Sequence, residues 1–281
     1  MYDNIEVLAH SLIQHGKEND RIYLMKLNSA DYSGILPKLE EIAKKNNYSK
    51  IFAKVNEDYS EDFINNGYNI EAVVPGFYNG EKAGLFLGKY YSEDRKNIAK
   101  DLQIEIDNNI HLAESKAGTK KPGSLPDEYY IRKLNEADLG QLADLYKIVF
   151  PSYPFPIHET NFLKEVMDDN VEFFGVLSKK DERLVAASST EKYEDYSNAE
   201  MTDFATHPDA LGKGLALFLL DVMEEEMAKQ GFKTLYTIAR SHSAGMNITF
   251  AKNDYIFAGT LKNNTNIFGR IESMNIWYKK M

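Results

Sequence analysis

An α/β protein on a mixed sheet is predicted, in two units joined by a linker, and three observations carry that prediction. The chain has 281 residues, 43% hydrophobic and 12% aromatic, enough to fill one large core or two ordinary ones. From residue 129 onward, strand-length and helix-length apolar patterns follow one another as β-α-α-β-β-β-α-β-α-β-β, which mixes hairpins with crossovers and does not repeat βαβ. The first half also echoes the second. EEIAKKNNYSKIFAKV (40–55) and EEMAKQGFKTLYTIA (225–239) both read as helix end, turn and buried strand. Both are followed by the spacing F-x-x-N-x-Y, as FINNGY (63–68) and FAKNDY (250–255), and then by a strand pair. A degenerate duplication is the reading this order favours.

Each element has a local reason. In NIEAVVPGFYNGEKAGLFLGKYY, Asn79-Gly80 supplies a two-residue hairpin turn. SEDRKNIAKDLQIEIDNNIHLAESK predicts one long helix from the spacing of Ile98, Leu102, Ile106 and Ile110. The Gly, Pro and Ser cluster in ESKAGTKKPGSLPDE (114–128) predicts the linker, giving an N-terminal α/β domain at 1–115, a linker at 116–128 and a second domain at 129–281. There, YYIRKL is a strand, ADLGQLADLYKIVF a helix entered at Asp138, VFPSYPFPIHET a proline-punctuated loop and NFLKEVMDD a second helix. FFGVLS, RLVAASSTEKY and AEMTDFAT are successive strands. A helix with Leu215, Leu219, Val222 and Met223 on one face follows, then the strand TLYTIA, a short helix, and the strand pair within IFAGTLKNNTNIFGRIESMNIWYKK.

The bulk chemistry narrows the function. Net charge is −10, which argues against nucleic acid as a partner and favours a small cationic substrate. With no cysteine, disulfides and thiolate chemistry are excluded. No apolar run approaches the roughly 18 residues of a membrane span, and MYDNIEVLAHSLIQHGKEND does not read as a signal peptide, so a soluble cytoplasmic protein without a membrane partner is expected. Histidines 10, 15, 111, 158, 207 and 242 show no ligand spacing such as H-E-x-x-H, and no metal is expected.

The stretch HPDALGKGLALFLL (207–220) joins a strand to a helix through Gly212, Lys213 and Gly214. A helix N-terminus preceded by glycines offers unpaired amides and the positive end of the helix dipole to an anion. It is neither G-x-x-x-x-G-K-[ST] nor G-x-G-x-x-G. Its position after the fourth strand, with those glycines, resembles the GCN5-related N-acetyltransferase (GNAT) superfamily, whose [Q/R]-x-x-G-x-[G/A] motif cradles the pyrophosphate of acetyl-CoA. The resemblance covers 129–281 and implies a GNAT-like fold there, with acetyl-CoA as co-substrate. Asp209 stands where the motif has Gln or Arg, and Leu211 where many members have Arg, leaving Lys213 as the expected local cation. By resemblance, Leu211, Gly212, Lys213, Gly214, Leu215 and Ala216 meet the pyrophosphate, while Phe204, Ala205 and Thr206 hold the pantetheine and polarise the thioester. Ser243 and Phe250 fall where the family often has Asn and Tyr, with Asn247 a substitute for the first; all three are expected at the cofactor.

VFPSYPFPIHE, HPDALGKGLA, GMNITF, GTLKNN and ESMNIWYKK, with an N-terminal half of this kind, also resemble the β-lysine N6-acetyltransferases over nearly the whole chain. The implied reaction is direct attack of a neutral amine on the thioester. A lysine-type amine titrates near about 10.4, so a proton acceptor is needed. Glu200 aligns with the general-base glutamate of histone-modifying members, and Asp203 is the alternative, expected on the opposite strand face. Tyr153, Phe155, His158, Glu159 and Glu191, with Asp195, are the expected acceptor contacts. Another amine acceptor, or a non-catalytic acyl-CoA-binding module, stays open, as does the role of the N-terminal half, homodimerisation included.

Overall fold

Thirteen strands make one continuous sheet among the residues that the computed structural model describes, 2–119 and 123–281. In the N-terminal half, β1 (Asn4–Leu8), β2 (Ser11–Gly16) and β3 (Arg21–Lys26) form an antiparallel meander. Helix α1 (Ile35–Asn46) crosses to β4 (Lys50–Asn56), parallel to β3, and α2 (Ser60–Asn65) leads to the hairpin β5 (Asn69–Tyr78) and β6 (Lys82–Tyr90). Asn79 and Gly80 take φ of 56° and 75°, as the expected hairpin turn requires. Two helices, α3 (Glu93–Lys96) and α4 (Lys100–Glu114), then lead to the second half.

The second half runs β7 (Tyr129–Lys133), α5 (Leu139–Val149), α6 (Thr160–Asp169), β8 (Val171–Ser178), β9 (Leu184–Tyr193), β10 (Asn198–Thr206), α7 (Leu215–Lys229), β11 (Thr234–Arg240), α8 (Ala244–Lys252), β12 (Ile256–Ile267) and β13 (Arg270–Lys280). This is the order expected from the sequence. The expected long helix at 92–116 is instead broken: Asn97 and Ala99 are extended, and the Asn263 carboxamide donates to the carbonyls of Asp94, Arg95 and Asn97, ending α3. Helix α4 packs along α8, with Asn109 Nδ2 donating to Ser241 O at 3.0 Å. Residues 120–122 of the expected linker lie outside the described residues.

Strand order across the sheet is β1-β2-β3-β4-β6-β5-β12-β13-β11-β10-β9-β8-β7. Apart from β7, it reads as the same six-strand order written outward in both directions from the β5–β12 contact. The F-x-x-N-x-Y segments also match in detail: Phe63–Tyr68 and Phe250–Tyr255 pack edge to face with ring centres 5.1 and 5.0 Å apart. In each, the tyrosine amide donates to the phenylalanine carbonyl at 3.1 Å.

One apolar cluster lies under α1 (Leu24, Leu39, Ile51), one under α7 and α8 (Met201, Leu219, Met223) and one under α5 (Leu142, Tyr146, Phe173). A fourth joins the halves, with Phe52, Phe77 and Phe86 against Tyr236, Leu261 and Ile276. At the junction Gly259 has φ 147°, and a Cβ there would stand 2.1 Å from Glu71 O. Buried Lys50 donates to Glu71 Oε2 and to Lys262 O, both at 2.8 Å, while the Lys262 amide donates to Glu71 Oε1 at 2.8 Å. The 79–80 turn latches onto the other half, where the Asn79 amide donates to Tyr196 O at 2.7 Å.

Candidate active site

Strand β10 decides where chemistry can occur. It pairs with β11 only from Asn198 to Glu200 and then parts from it, while keeping β9 on its other side to Thr206. Between Thr202 and Ala205 the β9 register slips, and Asp203 takes φ 54°, a bulge that re-aims its side chain. The expectation that Glu200 and Asp203 face opposite ways is thereby corrected: the bulge breaks the two-residue period, and both line one cavity of about 630 Å³. Beyond Glu200, the β10 edge that faced β11 has no strand partner, leaving main-chain groups of Phe204–Thr206 for a ligand.

The loop that follows is a short 3-10 turn at Pro208–Ala210, then Gly212 (φ 79°) and Gly214 (φ 70°), then α7. A Cβ at Gly212 would meet nothing within 4 Å, so its backbone is open to an approaching group. The first amides of α7, at Leu215 and Ala216, have no intrahelical acceptor. Lys213 Nζ donates to Glu128 Oε1 at 2.8 Å and to the Tyr129 hydroxyl at 2.6 Å. The expectation that Lys213 is the only cation beside the loop is corrected: Arg183, from the β8–β9 turn, stands 3.9 Å from Asp209 and offsets its charge. Leu211 is exposed, and Ser243 stands at the N-terminal boundary of α8 with no capping bond from its side chain.

Two residues expected at the cofactor are committed inside the protein. Asn247 is fully buried, its Nδ2 donating to Arg240 O and Ser243 O and its Oδ1 accepting from Asn275 and Trp277 Nε1, which exhausts its capacity. Phe250 packs edge to face on Phe204 and Tyr255 in the core.

The cavity is rich in carboxylates, Glu200 buried and Glu191 and Asp203 half-buried. Glu200 and Glu191 are register partners across β10 and β9, so their side chains are neighbours on one face. Burial first, and Glu191 second, push Glu200 up to about 8, while Lys54 and a hydrogen bond from Tyr236 pull the other way. Glu191 is raised mainly by burial, with Lys54 and a 2.5 Å hydrogen bond from Tyr193 opposing. Burial also raises Asp203, against hydrogen bonds from Ser189 Oγ (2.6 Å) and the Tyr153 hydroxyl. A cation entering this cluster would relieve like-charge repulsion and restore ionised carboxylates.

Tyr153, Phe155, Glu191 and Asp195 line the cavity as expected for acceptor contacts. His158 and Glu159 do not. A tight turn, with the Ile157 amide donating to Phe155 O and the Glu159 amide to Pro156 O, buries Ile157 and swings its neighbours away. His158 lines a smaller adjoining cleft, and Glu159 is exposed at the start of α6.

Sequence reasoning missed the wall supplied by the N-terminal half: Arg21, Tyr23 and Met25 on one face of β3, and Phe52 on β4. It also missed Lys54, buried on β4, which donates to the Tyr236 hydroxyl at 3.1 Å and lies 4.4 Å from the Tyr193 ring centre. The available signal was a cation inside an apolar strand, IFAKV, where an unpaired charge is costly.

Residues 141–250 match the Acetyltransferase (GNAT) family. The chain is 38% identical to the β-lysine N(6)-acetyltransferase of Methanococcus maripaludis, over 99% of this chain and 98% of that one. It is 30% identical to N-acetyltransferase YodP of Bacillus subtilis, over 96% of both. Against the β-lysine N(6)-acetyltransferase of Methanosarcina mazei it is also 30% identical, over 76% of this chain and 85% of that one. A full-length likeness of this kind, on a strand splayed beside a glycine loop and a carboxylate-lined cavity, has one reading: the chain is a member of the GNAT acetyltransferase family.

Proposed function

We propose that the chain transfers acetyl from acetyl-CoA to the side-chain amine of β-lysine, making N6-acetyl-β-lysine as a compatible solute. The observation that carries this reading is the Glu191–Glu200–Asp203 cluster in the cavity beside the open edge of β10, which suits a cationic amine at an acyl donor. The full-length relatives named for β-lysine supply the acceptor's identity. Acetylating one amine turns a solute of charge +1 into a neutral zwitterion, which can accumulate without a counter-ion.

The residues present fit acetyl-CoA: the open space over Gly212, the first amides of α7 and the β10 edge without a strand partner follow one another along the chain and offer main-chain groups to it. When bound, the cofactor supplies an activated acetyl thioester. Gly212 through Ala216 would hold its pyrophosphate, and the backbone of Phe204–Thr206 its pantetheine arm. Glu200 accepts the proton of the acceptor's ammonium. Its raised affinity for protons narrows the gap to an amine near about 10.4 and makes that transfer less uphill. Lys54, through the Tyr236 hydroxyl, steadies the Glu200 carboxylate when it is ionised. Glu191 and Asp203 pair with the positive charge of the acceptor, and Tyr153 and Phe155 enclose its aliphatic stem.

We also infer that the halves are a duplicated unit, the N-terminal copy having no glycine loop and serving instead as a wall of the acceptor cavity. The outward-reading strand order and the matched Phe–Tyr elbows support this. The test of function is thiol release from acetyl-CoA with β-lysine, lysine and spermidine as acceptors, with the product's mass and acetylated nitrogen identified. Faster turnover of spermidine than of β-lysine would sink the acceptor assignment. Acetyl-CoA binding without turnover of any amine would sink catalysis.

A further inference from the structure

Arg21 opens β3 and shares its inward face with Tyr23 and Met25, so its guanidinium reaches the cavity that holds Glu200. It is 4% exposed. Nη1 donates to Asn264 O at 2.6 Å and to Thr265 Oγ1 at 3.2 Å, and both acceptor residues also line the cavity. Its Nε is buried with no partner among the described residues. Among those residues, no carboxylate lies within 4.0 Å of the guanidinium, whereas buried Lys50 has Glu71 and buried Arg95 has Asp20; of the buried cations described, Lys54 is the other without one. Tyr23 and Phe52 flank it, with ring centres 5.3 and 5.7 Å from Cζ. A second guanidinium, Arg95, adds to the positive field, which the carboxylates of Asp3 and Glu71, beyond contact distance, offset only in part.

A buried arginine with no anion in contact is expensive unless something else supplies the charge. The cavity is therefore polarised along its length. Tyr23 is near enough to feel both the carboxylates of Glu200 and Glu191 and the guanidinium of Arg21, and all four residues line the cavity. Such a cavity fits a molecule with a carboxylate at one end and an amine at the other. A polyamine would bring an ammonium against Arg21 and leave the guanidinium uncompensated.

We propose that Arg21 binds the carboxylate of the acceptor and thereby selects amino acids over polyamines. This rests on the acetyltransferase reading above and adds to it the group that reads the acceptor's acidic end. The planar fork of the guanidinium suits a carboxylate better than the point charge of a lysine.

The experiment compares kcat/KM of the full-length chain for β-lysine and for its carboxamide, which keeps both amines and removes the negative charge. Wild type is expected to prefer the acid by about 100-fold or more, since a buried polar group left unpaired is heavily penalised. In Arg21→Gln that ratio falls to near unity, and in Arg21→Lys it takes an intermediate value. Binding gives a second readout: β-lysine raises the melting temperature of wild type, and of Arg21→Gln much less. A ratio unchanged in a folded Arg21→Gln overturns the proposal. So does a wild type that treats acid and carboxamide alike, an outcome needing no variant and leaving acetyl transfer to β-lysine intact. Absence of turnover with both compounds, despite acetyl-CoA binding, sinks the catalytic reading first and this one with it.

Discussion

Glu200 holds its proton to about pH 8 because burial and Glu191 both penalise its charge, and this sets two measurable behaviours. For catalysis, kcat/KM for the acceptor should rise with pH along a limb near that value. Glu200→Gln should lower kcat about 100-fold or more and remove the limb, while calorimetric acetyl-CoA affinity stays as in wild type. For stability the sign is opposite. The folded-state proton affinity lies above the ordinary 4.5, so Glu200's contribution is complete below about pH 4.5 and disappears as pH rises through about 8. Glu200→Gln should therefore melt higher than wild type at pH 9 and close to it at pH 4.5, with a slope of at most about 1.4 kcal/mol per pH unit between. An equal shift at both values would mean that the carboxylate is not buried in solution. Lys54 tests the same site from the other half. Its charge pulls Glu200 downward, so Lys54→Met should move the kcat/KM limb to higher pH. A limb that stays in place would remove Lys54 from the site.

Among the elements, the glycine loop was legible in the sequence by its position between strand and helix, and so were β10 and Glu200. Two features were not. The bulge at Asp203 sits on a non-glycine residue, and its local sign, a slip in the alternation where Thr202 and Asp203 are both polar and Phe204 and Ala205 both apolar, is too short to separate a bulge from an ordinary strand. The break after α3 is imposed from outside, by Asn263, a residue remote in sequence that takes the carbonyls the helix would have used. The loop carries its own prediction. Because Lys213 is already shared between Glu128 and Tyr129, Lys213→Ala should weaken acetyl-CoA binding by about tenfold at most, the scale of one partly exposed charge. Gly212→Asp should abolish it, placing a carboxylate and a Cβ at φ 79° where the main chain must be approached. If the lysine variant alone eliminated binding in a calorimeter, the main chain would not be the principal anchor.

Over the whole molecule, the order of elements in the C-terminal half was legible because each has its own periodicity and punctuation. The joining of both halves into one sheet was not, since it depends on a single close approach at Gly259 and on buried groups such as Lys50 and Glu71 that meet across distant segments. Arg21, Tyr23 and Phe52 line the acceptor cavity, and Lys54 reaches Tyr236 behind it, only through that joining, which is why motif reading confined the site to the second half. Gly259→Ala would force a Cβ against Glu71 O, and should destabilise the fold by roughly 2–4 kcal/mol in urea titration and raise KM for the acceptor. An unchanged midpoint would mean that β5 and β12 separate freely.

The β5–β12 seam also sets an order of events in time. Strands that meet there come from opposite halves of the chain, and contacts of such long sequence separation form late because a large loop must close first. Trp277, the single tryptophan, sits within the second half and is anchored to Asn247, so its emission reports local assembly. The acceptor cavity needs both halves. During refolding, the Trp277 signal should recover first and the capacity to bind a diamino acid last, making occupancy of the cavity a marker that the chain has finished folding.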